Sequence, residues 1–318
     1  MIPPIYPPEM NKQKFYNKSV EQNVKIGLMN GVETCAFDRM AVSLQTVCRR
    51  DRRTIGRETV SLNIIWRMSG IKRFCESLFP HFNDKKCGKG SETRREFCVN
   101  GVDFSMIKVD GGEFSMGDDG EQVKDNPAHK VRVSDFLIGQ TEVTQALWEA
   151  VMGNNPSYSK GEELPVEQVS WEDCMLFVQK LNELTKENFR LPSEAEWEFA
   201  ARGGNKSRGY KYSGSDNLKS VAWCMENKEH KTHAVAKKKP NELGLYDMSG
   251  NVYEWCNDWY DEQYYRNSPY ENPAGSANGL YKVLRGGSYR NKNKCKVNIR
   301  HYNAPYYKYG NIGLRLSI

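Results

Sequence analysis

The clearest hydrophobic periodicity in this chain predicts three helices between residues 144 and 204. The first is expected to begin after Thr144, to end at Gly153 and to carry one apolar face: Leu147, Trp148, Val151 and Met152. Two further helices are predicted where Ser170 and Ser193 each precede an acidic residue by three positions, which is the capping-box pattern.

Alternating apolar and polar residues predict strands on both sides of these helices. The segment from Val102 to Asp118 alternates and turns at Gly111-Gly112, which predicts a hairpin, and His129–Thr144 contains a further strand. Beyond Gly203 the helical period disappears, and short strands, turns and aromatic residues dominate. Few helices followed by many short strands and long loops indicate an α+β domain.

The stretch between the predicted strands VLRGGS and IGLRL has a distinctive composition. From Tyr289 to Asn311 it holds five Tyr, five Asn, four Lys and one His, with no Leu, Phe, Met or acidic residue. Tyr offers a large contact area with few torsions to freeze, and Asn offers adaptable hydrogen bonds, as in antibody loops. We predict a recognition surface held between two core-facing strands; the alternative is a polar loop without a ligand.

Charge is distributed in three blocks, although the net charge of the chain is only +6. Residues 1–100 carry 18 basic and 10 acidic residues, residues 101–271 carry 19 and 30, and residues 272–318 carry 9 and 0. A basic end attached to an acidic body either attracts an acidic ligand or docks on its own body. Both interpretations stay open at this point.

The first hundred residues show no motif. We assign 1–100 to a leader or small accessory region and 101–318 to the main domain. The N-terminal segment lacks the apolar stretch of a secretory signal, and no run of eighteen apolar residues exists, so neither export nor a membrane span is expected. A cytoplasmic location is expected from the sequence as written, with export through a different start codon as the alternative.

Several segments together resemble one family. They are GGEFSMG, LPVEQVSWEDC, RLPSEAEWEFAARGG, NELGLYDMSGNVYEW, VLRGGSY and NIGLRL, in this order over residues 101–318. This set resembles the formylglycine-generating-enzyme, or sulfatase-modifying-factor, family. The resemblance implies a C-type-lectin-like fold: a loop-rich α+β domain with small twisted antiparallel sheets and a few short helices.

The oxidases of that family hold copper with two cysteines just after the GGS segment. Here only Cys295 lies between Arg290 and Arg300, and a single thiolate is a poor copper(I) site. No copper is therefore expected. A sulfatase-modifying-factor-like oxidoreductase that generates formylglycine is kept as the alternative function.

The C-terminal ending also resembles the variable proteins of diversity-generating retroelements, in which adenine-directed mutagenesis places Asn, Tyr, His, Ser and Asp on a lectin-fold ligand surface. The resemblance implies a non-enzymatic ligand-binding protein, possessing a surface that a retroelement diversifies. The predicted ligand-binding residues are Tyr289, Asn291, Asn293, Asn298, His301, Tyr302, Asn303, Tyr306, Tyr307, Tyr309 and Asn311. The expected partner is a protein or a glycan.

Two other sites are considered. Family members bind calcium in the segment GLYDMSGNVYEW, and the matching positions here are Asp247, Gly250, Val252 and Glu254; the alternative is that the two carboxylates only brace a turn. Lys292, Lys294, Lys296 and Lys308 lie in the same stretch as tyrosines that could stack bases. No nucleic-acid fold signature accompanies them, so nucleic acid is not the favoured partner.

Overall fold

The computed structural model describes residues 92–118, 126–227 and 230–318. Nine strands are described: β1 (Arg94–Val99), β2 (Val102–Val109), β3 (Gly112–Met116), β4 (His129–Val133), β5 (Phe136–Gly139), β6 (Tyr253–Trp259), β7 (Lys282–Arg285), β8 (His301–Asn303) and β9 (Ile312–Leu314). The described α-helices are α1 (Gln145–Met152), α2 (Trp171–Thr185), α3 (Glu194–Ala201) and α4 (Leu218–Val221). Single 3₁₀ turns lie at Gly204–Lys206, Met225–Asn227 and Tyr264–Arg266.

The strands form three small sheets. One has the order β1-β2-β5, one pairs β3 with β4, and the third has the order β8-β7-β6-β9. All pairs are antiparallel except β6 with β9, which run parallel through the register Tyr253–Ile312 to Trp255–Leu314. The predicted α+β organisation with small sheets and few helices is confirmed.

The three predicted helices are present with their predicted caps. The Thr144 hydroxyl accepts the N–H of Leu147 at the start of α1, and Gly153 ends the helix in the left-handed region. Ser170 and Ser193 each form a complete capping box at the start of α2 and α3. The residues of each cap lie within three positions of one another in the chain, so the caps could be recognised from the sequence.

The hairpin predicted for residues 102–118 is wrong. The strands β2 and β3 do not form a hairpin at Gly111-Gly112, because β2 pairs with β1 and β5 while β3 pairs with β4. The strand predicted within His129–Thr144 is present as β4, and the segment also holds β5, which belongs to a different sheet.

The domain also begins before the predicted boundary at residue 101. The strand β1 pairs with β2 over six residues from Arg94–Ile107 to Val99–Val102. The turn between them is Asn100-Gly101, both with positive φ, which is the two-residue hairpin connection that Asn-Gly favours. Phe97 is buried and stacks on Phe104 at 5.3 Å, so β1 contributes to the core. The rest of the predicted leader lies outside the described residues.

Two hydrophobic clusters fill the space between the helices and sheets. The first joins α1 and α2 to the β1 and β6 sheets, and its centre is the Trp148–Phe177 pair with ring centroids 4.9 Å apart. The second surrounds α3, where Trp197 is fully buried. Among the described residues, no helix combines the length and apolar character of a membrane span.

Candidate recognition surface

The segment 288–311 lies between two strands of the same sheet, β7 and β9. Val283, Leu284, Ile312 and Leu314 are all buried, as predicted for strand positions that face the core. Gly286 and Gly287 leave β7 with φ values of 88° and 74°. A Cβ on Gly287 would lie 2.6 Å from the carbonyl oxygen of Lys294, so glycine permits this close return of the chain.

Two buried arginines fix both ends of the loop 286–299 on α3. Arg285 forms a fully buried ion pair with Glu198 and donates to the carbonyl of Val297 at 3.0 Å. Arg300 donates to both carboxylate oxygens of Glu194 at 2.8 and 2.9 Å. Burial would raise the pKa of Glu194, but the guanidinium charges of Arg300 and Arg285 lower it overall, so this carboxylate is ionised.

Further hydrogen bonds hold the backbone between these two arginines. The Ser249 hydroxyl donates to the carbonyl of Cys295 at 2.8 Å, and the Asn126 amide donates to that of Asn298 at 2.7 Å. The N–H of Met225 donates to the carbonyl of Asn291 at 3.1 Å. Because these bonds use main-chain atoms of the segment, they do not depend on its side chains. The backbone is therefore a fixed frame for whichever side chains it carries.

The predicted ligand-binding residues separate into three groups by exposure. Asn293, Tyr302, Tyr306, Tyr307 and Tyr309 are exposed; Asn291, Asn298, His301 and Asn303 are partly exposed; Tyr289 and Asn311 are buried. We use the name recognition surface for a set of exposed side chains of this segment: Arg290, Asn293, Tyr302, Tyr306, Tyr307 and Tyr309.

Tyr289 and Asn311 are wrongly assigned to the surface. The Tyr289 ring is buried and its hydroxyl donates to the carbonyl of Gly310 at 3.2 Å. The amide of Asn311 donates to the hydroxyl of Ser288 at 2.8 Å. Both side chains thus tie the start of the segment to its end. Composition indicated a contact surface, but it could not indicate which side chains turn inward.

Two of the partly exposed residues also have internal partners. The Ser288 hydroxyl donates to the side-chain oxygen of Asn291 at 2.8 Å. His301 stacks on Tyr253 with centroids 5.0 Å apart. Burial, aided by the nearby charge of Lys294, lowers the pKa of His301 to about 4, so this imidazole is neutral at neutral pH.

Tyr302 belongs to a group of three tyrosines. Its ring stacks on Tyr260 at 4.0 Å and lies 5.1 Å from Tyr281 at a tilted angle. Tyr260 follows β6 and Tyr281 precedes β7, and neither was among the predicted site residues. The register Val283–Tyr302 between β7 and β8 brings them together, and no signal local to residues 289–311 could have revealed it.

A second aromatic group surrounds Arg290. Its guanidinium carbon lies 5.4 Å from the Tyr289 ring centroid and 5.1 Å from that of Tyr309. The Tyr307 ring stacks beside Tyr309 with centroids 6.0 Å apart. Arg290 itself was not among the predicted site residues, although its position beside Tyr289 could have suggested it.

Most of the basic charge in residues 272–318 is compensated within the protein. Five of its nine cations form ion pairs with carboxylates elsewhere in the chain: Arg285 with Glu198, Lys292 with Glu226, Arg300 with Glu194, Lys308 with Asp173, and Arg315 with Glu254. A sixth, Lys282, is buried between the rings of Trp171 and Trp259 at 4.0 and 3.9 Å. Contacts with the acidic body thus compensate most of the basic charge of residues 272–318. Among the described residues, Arg290, Lys294 and Lys296 form no ion pair with a carboxylate.

The four predicted calcium ligands differ in whether their oxygen atoms are available to bind a cation. Both oxygens of Glu254 are already bonded, to Arg315 at 2.7 Å and to the Trp197 indole at 2.7 Å. The N–H of Val252 donates to Glu142 at 3.1 Å. Gly250 permits close contact, because a Cβ there would lie 2.3 Å from the Trp223 carbonyl oxygen. As a set, the four residues do not fit a calcium cage while Arg315 occupies Glu254.

Asp247 is the exception among these four residues. One of its buried carboxylate oxygens accepts the N–H of Ala236 at 2.7 Å, and the other has no hydrogen-bond partner within the described residues. Burial raises the pKa of Asp247 to about 6 and that of the neighbouring Glu142 well above its ordinary value. In the described part of the chain, no three His, Cys, Asp or Glu side chains are grouped to hold a metal. Calcium binding therefore stays a prediction, with Asp247 as its supporting feature.

Cys295 has a neighbouring thiol that the sequence did not reveal. Cys224 and Cys295 are both buried in one small apolar cluster with Leu218 and Ala222. Burial raises the pKa of both thiols, that of Cys295 to about 12 with a contribution from Cys224. A protonated, inaccessible thiol is a poor metal ligand and a poor nucleophile.

Comparison with known proteins finds similar sequences and similar solved structures. A chaperone protein LppX from Paenibacillus barcinonensis is 37% identical over 209 residues, covering 50% of this chain and 73% of that protein. The formylglycine-generating enzyme of Streptomyces coelicolor is 29% identical over 288 residues, covering 67% and 88%. The solved structure of Treponema denticola variable protein 1 is similar with a TM-score of 0.66 and 34% identity, covering 71% of this chain and 99% of that one.

The predicted resemblance to a variable protein is thus confirmed as a similarity of fold and sequence. A family match extends over residues 95–318, and it includes β1 as the structure does. The chain belongs to the sulfatase-modifying factor enzyme 1-like domain family and has its C-type-lectin-like fold.

Proposed function

We propose that this protein binds a protein or glycan partner through the recognition surface and catalyses no reaction there. The observation that carries the proposal is the exposure of four neighbouring tyrosines on a fixed backbone. Tyr302, Tyr306, Tyr307 and Tyr309 are 41%, 69%, 40% and 42% exposed. Folding alone gives no reason to expose so much aromatic area in one segment, whereas a binding surface gains from it.

The outward exposure of the four tyrosines supports a macromolecular partner. Two cavities of about 470 and 440 Å³ lie at the β1–α2 groove and beside the β3–β4 sheet. Neither is lined by a residue of the segment 288–311. Small-molecule sites are concave and enclose their ligand, and the tyrosines instead point outward.

Similarity to Treponema denticola variable protein 1 supports diversification of this surface. We infer that a retroelement varies the exposed positions of the segment and spares its anchors. Sequencing this gene from independent isolates tests the inference. Differences should concentrate at positions such as Asn293, Tyr302 and Tyr306 and should be absent at Tyr289 and Asn311. An even spread of differences over the domain would contradict diversification.

Binding itself is tested by screening the full chain against a glycan array and a displayed peptide library. Every ligand found is then measured against a variant carrying serine at Tyr302, Tyr306, Tyr307 and Tyr309. We expect this variant to stay folded and to lose binding. The matched control is Tyr158→Ser/Tyr270→Ser, which removes two exposed tyrosines outside the segment and should bind normally. Unchanged affinity of the four-tyrosine variant would place the binding site elsewhere.

The alternative, formylglycine generation, is disfavoured by burial of Cys224 and Cys295. Its test is incubation with copper(I), oxygen and a peptide containing Cys-x-Pro-x-Arg, followed by mass spectrometry. We expect the peptide mass to stay unchanged. Conversion of the peptide cysteine to formylglycine, abolished in Cys295→Ser, would establish the alternative function instead.

A further inference from the structure

Arg290 is held in a defined orientation on the recognition surface. Its Nε donates to the Tyr289 hydroxyl at 3.0 Å and one terminal nitrogen, Nη1, donates to the Tyr309 hydroxyl at 3.4 Å. The ring centroids of Tyr289 and Tyr309 also lie 5.4 and 5.1 Å from its guanidinium carbon. The other terminal nitrogen, Nη2, makes no hydrogen bond within the described residues. An arginine fixed in this way loses little rotamer freedom when it binds a further group.

Among the described residues Arg290 forms no ion pair with a carboxylate, in contrast to the nearby Lys292 and Lys308. Lys292 and Lys308 pair with Glu226 and Asp173, but no described carboxylate lies within salt-bridge distance of Arg290. The buried carboxylate of Glu167 is near enough to feel its charge. One Glu167 oxygen accepts the backbone N–H groups of Tyr158 and Ser159, and it does not reach Arg290. Arg290 is thus a preoriented cation that interacts with Glu167 only at longer range and forms no direct ion pair with a described carboxylate.

The chemistry around Arg290 distinguishes between kinds of acidic partner. A polyanion such as nucleic acid or a sulfated glycan is bound by a row of free cations. Here Lys292 and Lys308 are already neutralised internally, so the remaining cations Arg290, Lys294 and Lys296 do not form an unbroken row. A single arginine flanked by tyrosines is instead the pattern of a protein-interface hot spot, in which rings bury apolar area and the fork binds one carboxylate.

Resting on the proposed function, we infer that the partner is a protein, and that Arg290 receives an Asp or Glu carboxylate from it. The Nη2 edge makes the new charge-assisted hydrogen bond. The rings of Tyr307 and Tyr309 contact an apolar side chain beside the acidic one. The partner segment therefore combines an acidic residue with an adjacent apolar or aromatic residue.

The test uses a phage-displayed library of random peptides, each about a dozen residues long, selected on the immobilised full-length chain. Enriched peptides are synthesised and their Kd is measured by calorimetry. We expect enriched sequences to share an Asp or Glu next to an apolar residue. Arg290→Ala should weaken binding about tenfold or more, since it removes a charge-assisted pair. Arg290→Lys should restore binding only partly, because an ammonium keeps the charge but is not held in place by both tyrosine hydroxyls while it donates to the carboxylate.

Matched variants separate this inference from the proposed function. Lys294→Ala removes an exposed cation that has no described ion pair, and it should change Kd less than about twofold. Tyr302→Ser/Tyr306→Ser leaves the rings around Arg290 in place and should still weaken binding. Peptides that need these tyrosines but not Arg290, enriched peptides without acidic residues, or no enrichment would each overturn the role of Arg290. Peptides insensitive to both changes would overturn the proposed function as well.

Discussion

At the scale of single residues, the segment 288–311 divides into anchors and contacts. Anchors such as Arg300 and Asn311 are buried and bonded to other parts of the molecule, whereas contacts such as Tyr306 have exposed rings. The two kinds are interleaved along the chain. A substitution in this segment should therefore affect either stability or binding, depending on which kind of residue it replaces.

Anchors and contacts should differ in their effect on the free energy of unfolding. Tyr289→Ser removes a buried ring and Asn311→Ala leaves the Ser288 hydroxyl without its donor; we expect losses of about 2–4 and about 1–3 kcal/mol. Tyr306→Ser should change stability by less than about 0.5 kcal/mol. Urea denaturation of the three variants measures this. A loss for Tyr306→Ser as large as that for Tyr289→Ser would mean that the exposed tyrosines belong to the core.

A buried carboxylate under α3 should give the protein a characteristic pH dependence. Burial, and then the charge of Glu194, raise the pKa of Asp258 to about 8, far above its ordinary value of 3.8. The folded state therefore keeps a proton that the unfolded state has lost above about pH 4. The contribution of Asp258 to the free energy of unfolding is therefore most favourable at low pH. It falls as the pH rises towards 8, with a slope of up to about 1.4 kcal/mol per pH unit.

In the window from about pH 6.5 to 8, His301, with a pKa of about 4, is already neutral in the folded state, and comparison with Asp258→Asn separates the effect of Asp258 from that of other groups. Urea denaturation across this window should show stability falling with pH in the wild type. The slope should be shallower in Asp258→Asn, which keeps the shape of a neutral carboxyl group. The exposed control Asp103→Asn should retain the wild-type slope. Equal slopes in all three proteins would mean that Asp258 is ionised throughout.

At the scale of elements, β1 connects the domain to the region before it. Its pairing with β2 covers one edge of the first sheet, and Phe97 completes a cluster with Phe104 and Phe189 at 5.3 and 5.1 Å. The strand thus supplies both main-chain hydrogen bonds and apolar contacts. A domain cut at residue 101 would lose both.

Two fragments test this boundary. Residues 86–318 retain β1 and should be soluble and melt cooperatively. Residues 101–318 expose the edge of β2 and the Phe104 ring, so this fragment should melt lower or aggregate. Circular dichroism melts and size-exclusion chromatography measure the difference. Identical melting of the two fragments would show that β1 contributes nothing to stability.

What could be predicted from the sequence depended on how local each signal is. The caps at Thr144, Ser170 and Ser193 act within one helical turn, and the helices they begin were predicted. The partners of β2 and β3 depend on contacts far apart in the chain, and the predicted hairpin was wrong. The segment 289–311 was located by composition, but Tyr260 and Tyr281 join it only through tertiary pairing.

At the scale of the whole molecule, most of the basic residues in 272–318 are compensated by contacts with the acidic region 101–271. The exception lies around Arg315, whose guanidinium pairs with Glu254 while the buried carboxyl groups of Glu142 and Asp247 are near enough to feel its charge. Such an excess of buried negative charge requires either protons or a cation. Calcium and protonation are therefore alternatives at the same place.

Thermal melts with calcium and with a chelator distinguish them. If calcium binds at Asp247, the melting temperature should be higher with calcium by mass action, and most clearly at a pH above about 6, where the Asp247 carboxyl group ionises. Asp247→Asn should abolish this difference, and the exposed control Asp135→Asn should keep it. Coincident wild-type melts at that pH would leave protonation as the means by which the carboxyl groups around Arg315 are neutralised.

The parallel pairing of β9 with β6 has a consequence for gene expression. The last residues lock distant segments together: the N–H of Val143 donates to the carbonyl of Leu314 at 2.9 Å, and Arg190 and Ser317 exchange two backbone hydrogen bonds at 2.8 Å. These contacts can form only after ribosomes have translated the whole segment 288–311. A nonsense or frameshift mutation within that segment therefore yields an unfolded chain for proteolysis rather than a shortened binder. Only variants with an intact reading frame reach the folded state.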